Sequence, residues 1–152
     1  MLEVGTKAPA FTLAKLGGGG LSLEEALAAG PAVLAFFKVS CPTCQVAMPF
    51  LERMAGSTAA RLVAVSQDGP EATSEFHAEF GIKMPTLLDH QGYKTTKAFA
   101  LTHVPSIFVV EPDGVISKSF TGFSKDDFEA LGERLGAVPF LPGENVPRFK
   151  AG

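Results

Sequence analysis

Five apolar residues, Val33-Leu34-Ala35-Phe36-Phe37, lead through Lys38-Val39-Ser40 into Cys41-Pro42-Thr43-Cys44. A short β-branched and aromatic run with no alternating polar residues predicts a strand buried on both faces. Such a strand needs cover above and below, which restricts the chain to layered α/β architectures. Beyond Cys44 the period changes: Val46, Phe50 and Met54 recur every fourth residue, with Leu51 beside Phe50, and mark one face of a helix. The two cysteines therefore stand where a buried strand hands over to a helix N-terminus. Unpaired backbone N–H groups and the positive end of the helix dipole favour a thiolate there. The pattern points to thiol chemistry.

The rest of the chain supplies the layers. Ala10–Ala14 reads as a strand, Gly17–Gly20 as a flexible turn, and Ser22 with Glu25 has capping-box spacing for a short helix ending at Gly30-Pro31. Arg61–Ser66 is a second buried-strand run, closed by Asp68-Gly69-Pro70, with Ser66-Gln67-Asp68 read as a turn and cap. A helix with Phe76 and Phe80 on one face follows. Thr86–Asp89 is a short strand, Tyr93–Leu101 a weakly patterned helix, and Ser106–Val110 a third apolar strand. Pro112-Asp113-Gly114 turns into a strand over Val115–Phe120, and Ser124 with Asp127 caps a last helix carrying Phe128, Leu131 and Leu135. The expected fold is α/β, a mixed sheet flanked by helices on both faces. Residues 1–137 form that domain. Residues 138–152 form a tail in which Pro139, Pro142 and Pro147 preclude regular structure. Phe140, Leu141, Val146 and Phe149 make the tail too apolar to be purely solvated, so it is expected to lie along the domain as an extended strap.

Composition removes several functions. A net charge of −3 without a basic run argues against nucleic acid and against an anionic membrane surface. No apolar stretch approaches the roughly 20 residues that span a bilayer. Met1–Lys7 lacks the pattern of a signal peptide, so a cytoplasmic protein is expected. Two cysteines this close make a poor structural staple and a good redox pair. Zinc would need ligands from the scattered His77, His90 and His103, so neither a metal nor an organic cofactor is expected.

These motifs together resemble the thioredoxin-like fold of the redoxin, or AhpC/TSA, group, which includes TlpA-like thiol-disulfide oxidoreductases. Gly5-x-x-Ala8-Pro9-x-Phe11-x-Leu13 resembles the group's N-terminal strand, and the long segment between the second and third core strands resembles its insertion. Val104-Pro105 ahead of Ser106–Val110, and Asp113-Gly114 at the hairpin, complete the resemblance over roughly residues 3–137. The resemblance implies thiol–disulfide exchange with Cys41 as nucleophile and Cys44 as resolving thiol, their disulfide being the only redox centre. It also implies a cis peptide at Pro105, with Val104 offering its backbone to an extended substrate peptide; Met84-Pro85 is the competing proline. The partners implied are a protein or low-molecular-weight thiol or disulfide and a thiol electron donor.

The chain departs from the pattern in ways that bear on Lys38, Ser40, Pro42 and Thr43 around the cysteines. The group's tryptophan before the first cysteine is Ser40. Its buried acid is Ala35 at the thioredoxin position and Ala47 at the TlpA-like position. Lys38 adds a cation three residues before Cys41, where it either favours the thiolate or is simply solvated. Pro42-Thr43 lies among the amides that tune the potential. His103, near Pro105, is either a surface residue or a proton carrier. A thiol-dependent peroxidase, with Cys41 peroxidatic and Cys44 resolving, is the alternative. Its Pro-x-x-x-Thr-x-x-Cys motif meets Leu34 and Lys38 counted back from Cys41, and Phe37 and Cys41 counted back from Cys44, so neither frame fits.

Overall fold

The computed structural model describes every residue from Met1 to Gly152. Strand β1 (Thr12–Lys15) and strand β2 (Gly20–Ser22) form an antiparallel hairpin. The glycine run is thus not a free turn throughout, since Gly20 pairs with Ala14. Ser22 then caps helix α1 (Leu23–Ala26) with both hydrogen bonds of the capping box. Strand β3 (Ala32–Phe37) leads to helix α2 (Pro42–Ala55), which runs through Pro49. Strand β4 (Arg61–Ser66), helix α3 (Pro70–Phe80), strand β5 (Thr86–Leu88) and helix α4 (Lys94–Ala98) follow. Helix α4 is shorter than its sequence suggested, because Ala100 turns to a positive φ of 54° just beyond it. Strands β6 (Ser106–Val110) and β7 (Ile116–Thr121) form the second hairpin. A two-residue strand β8 (Phe123–Ser124) and helix α5 (Lys125–Leu135) come next.

Seven strands lie in the order β2-β1-β5-β4-β3-β6-β7. β3 pairs in parallel with β4 and antiparallel with β6, which makes the sheet mixed and puts β3 near its middle. Every residue of β3 is buried. Val33, Ala35 and Phe37 face a cluster that includes Met48, Leu51 and Met54 of α2, Phe76 of α3 and Phe128 of α5. Leu34 and Phe36 face the other cluster, with Leu23 of α1 and Phe99. The uninterrupted apolar run is what a strand with helices on both faces requires. Three phenylalanines, Phe36, Phe99 and Phe108, meet at centroid distances of 5.1–5.8 Å beneath the second layer. No helix is long and apolar enough to cross a membrane.

The tail is more regular than its prolines suggested. Phe149–Lys150 form a short strand, β9, antiparallel to β8. The prolines stop short of it: Pro147 is the last, so Arg148 onward can pair, and the Lys125 amide donates to the Arg148 carbonyl at 2.9 Å. Further back, the Phe140 ring packs against Phe50 and Phe123, and Arg53 of α2 grips Glu144 through two hydrogen bonds of 2.7 and 2.8 Å. The tail thus runs along the domain surface over α2 and α5.

Candidate active site

Cys41 is the N-cap of α2, with extended backbone, and Pro42 occupies the first turn, where a missing N–H costs nothing. The Cys41 sulfur accepts a hydrogen bond from the Cys44 amide at 3.1 Å, so a helix-terminal N–H points directly at it. Cys41 is half-buried, Cys44 is fully buried, and both are free thiols. Burial, more than any other influence, pushes the Cys44 thiol well above its ordinary range. Its hydrogen bond with Cys41 and the charges of Cys41 and Asp68 add to the rise, while a backbone contact from Lys38 opposes it. Two identical side chains one turn apart thus differ in access, and burial holds the proton on Cys44.

Opposite them, the Val104–Pro105 peptide is cis, and Met84–Pro85 is not. The Cys41 thiol donates to the Val104 carbonyl at 3.5 Å, which brings the loop before β6 against the cysteine turn. Neither the amide nor the carbonyl of Val104 bonds to another backbone group. Val104 is thus free of main-chain partners beside the half-buried Cys41 thiol.

The residues around the pair divide by what they touch. Lys38 and Ser40 are exposed, and neither side chain makes a hydrogen bond or ion pair; Lys38 contributes its carbonyl, which accepts from the Cys41 amide at 3.1 Å. The Lys38 side chain lines a cleft of about 230 Å³ with Gln67, Thr96, Leu101, His103 and Val104. His103 lies on that cleft, exposed and bonded to Thr102 at 3.0 Å. Thr43 is 4% exposed, and its hydroxyl donates to the carbonyl of Ala151 in the tail. The three histidines do not join the cysteines: no group of three or more His, Cys, Asp or Glu side chains is placed to hold a metal ion.

One carboxylate was missed. In sequence Asp68 reads only as part of a turn, and its backbone amide does donate to the Ser66 hydroxyl at 3.1 Å. Its side chain, however, accepts from the Val39 amide at 2.8 Å, pinning the turn just before Cys41, and its charge acts on Cys44. The signal available was its position after the C-terminal end of a parallel strand, where α/β sites collect. Gln45 braces the same turn through the Val39 carbonyl at 3.1 Å.

The model of the AhpC/TSA family matches residues 4–119. The thiol-disulfide oxidoreductase ResA of Halalkalibacterium halodurans is 28% identical over 126 residues, covering 80% of this chain and 70% of that protein. Among solved structures, a DsbE-type thiol:disulfide interchange protein from Chlorobium tepidum superposes with a TM-score of 0.78 at 24% identity, over 88% of this chain and 96% of the other. Peroxidoxin BcpB from Mycobacterium tuberculosis does so with a TM-score of 0.73 at 21% identity, over 86% and 94%. These two structural likenesses establish the thioredoxin-like fold alone, which serves both chemistries. With most of its length matched, the chain belongs to the AhpC/TSA family, on its thiol-disulfide oxidoreductase branch.

Proposed function

We propose that this chain exchanges disulfides with a protein or low-molecular-weight partner through Cys41 and Cys44. The observation that carries the reading is the contrast between the two thiols: Cys41 is accessible and faces a helix-terminal amide, whereas Cys44 is sealed and holds its proton. The Cys41 thiolate attacks one sulfur of a substrate disulfide. That S–S bond breaks, a Cys41–substrate disulfide forms, and the departing sulfur takes a proton. Cys44 then gives up its proton and attacks the Cys41 sulfur. The second substrate thiol leaves, and two electrons have passed to the substrate. The resulting Cys41–Cys44 disulfide is the redox centre and needs no organic cofactor; a dithiol donor returns it to the reduced state. Val104 and cis-Pro105 form the platform along which an extended substrate lies, with Lys38, Ser40, Pro42 and Thr43 around the nucleophile.

The test is rapid mixing of the reduced protein with a protein disulfide and, separately, with hydrogen peroxide. Fast exchange and sluggish peroxide reduction are expected, since Lys38 and Leu34 stand where a peroxidatic motif needs Thr and Pro. Cys41→Ser abolishes exchange. Cys44→Ser accumulates a mixed disulfide at Cys41, detectable by intact mass. Peroxide reduction far faster than that of a free thiol would replace this reading with the peroxidase one.

A further inference from the structure

The tail does more than cover α2: its last residues run into the space beside Cys41. After β9 the chain passes over the cysteine turn, where the Ala151 carbonyl takes the Thr43 hydroxyl. It reaches Gly152 at the Val104 edge. A Cβ built on Gly152 would lie 2.7 Å from the Val104 carbonyl oxygen and 3.3 Å from the Gly122 amide nitrogen. From the other side, a Cβ on Gly122 would lie 3.0 Å from the Lys150 carbonyl oxygen and 3.1 Å from the Gly152 amide nitrogen. Two glycines thus meet without side chains between them. The Gly122 φ of 76° suits glycine independently of the space.

We infer that Ala151 and Gly152 are specificity-determining: they occupy the edge at Val104 and Gly122 in cis, and an extended polypeptide disulfide has to displace them. The inference rests on the exchange reading above. Val104 has no main-chain partner of its own, so the edge is open to a strand-like segment, and the segment lying on it is this chain's own. The strap is weakly held at this end, where Arg148 to Gly152 are all exposed, so it competes rather than blocks. Cys41 stays half-exposed with the strap in place, and a cleft lined by Lys38 and His103 adjoins Val104. A small disulfide that needs no backbone pairing reaches the sulfur without moving the strap. Binding that requires an uncovered state is weakened by the fraction of time the edge is uncovered.

Two variants test this: deletion of Ala151 and Gly152, and Gly152→Val, whose added side chain cannot sit against the Val104 carbonyl. Second-order rates are measured for the reduced proteins with insulin as the polypeptide disulfide and glutathione disulfide as the small one. The insulin rate is expected to rise about tenfold in both variants while the glutathione disulfide rate stays within about twofold. Unchanged insulin rates, a fall, or an equal rise with both substrates would each overturn the inference while leaving the exchange chemistry standing. If the unaltered chain reacts with neither disulfide, the exchange reading fails first and this inference with it.

Discussion

Two regions furnish the surroundings of Cys41, and they are held in opposite ways. Strand β3 and helix α2 are locked by buried area on either side of the cysteine turn: every β3 residue is buried, and α2 buries Cys44, Ala47, Met48, Leu51 and Met54 along one face. The strap from Val138 to Gly152 is held at separate points: the buried Pro139, the half-buried Phe140 and Val146, ion pairs from Glu144 to Arg53 and from Arg148 to Asp126, a two-residue strand and the Thr43 hydroxyl. A region fixed by area cannot move without unfolding, whereas one fixed by points can let go one point at a time. That division suits a site in which the nucleophile must be placed rigidly and its cover must yield.

The contrast is broken most directly by truncating one anchor from each region. Leu51→Ala in α2 removes a fully buried side chain and is expected to cost about 2–5 kcal/mol. Phe140→Ala removes a partly buried ring that rests on Phe50 and Phe123, and about 1–2 kcal/mol is expected. Urea unfolding of each variant measures the difference. Equal costs would mean that the strap is part of the cooperative core, and the comparison would collapse.

A smaller effect has an unusual sign. Glycine inside a helix is normally improved by alanine, by about 1 kcal/mol. Gly132 lies inside α5, but a Cβ there would come 2.5 Å from the Ala137 carbonyl oxygen and 2.8 Å from Pro139, where the chain folds back to begin the strap. Gly132→Ala is therefore expected to destabilise, by about 1 kcal/mol after the propensity gain is offset. The urea midpoint should fall with the slope of the transition unchanged. A rise in midpoint would show that the root of the strap shifts freely.

The same division explains what could be read from the sequence. The β3 run and the α2 face are patterns written within single segments, so they identify the strand, the helix and the cysteines between them without knowledge of the fold. Val104-Pro105 became legible through resemblance, by its place before an apolar strand. The contacts that were missed join distant residues through one atom each: Asp68 reaches Val39 across 29 positions, and Thr43 meets Ala151 across 108. No periodicity encodes such a contact. Thr43 reads as a polar residue between two cysteines, and nothing local announces that its hydroxyl meets the tail's Ala151 carbonyl. The tail's apolar residues did signal that it lies against the domain; β9 was hidden because the prolines dominate the pattern just ahead of it.

The ion pair between Arg53 and Glu144 gives the smallest effect and the sharpest separation of the two regions. The hydrogen bonds from Arg53, with a further one from the Leu141 amide, hold the Glu144 carboxyl down to about 2, against an ordinary 4.5. A depressed carboxyl stabilises the folded arrangement fully above the unfolded value and loses that contribution as pH falls through the folded one. The anchor is thus intact at neutral pH and weakens progressively from 4.5 down to about 2. Both side chains are partly exposed, 33% and 25%, so the contribution is modest and screened by salt. Once hydrogen exchange is corrected for the intrinsic rates, which themselves slow as pH falls, protection across residues 138–150 should drop over that pH range while β3 and α2 stay protected. Glu144→Gln should remove the pH dependence and leave the strap at its loosened level throughout. If the strap and α2 lose protection together in the unaltered protein, the two regions open as one unit, and a strap that yields while the nucleophile stays fixed is not available to this molecule.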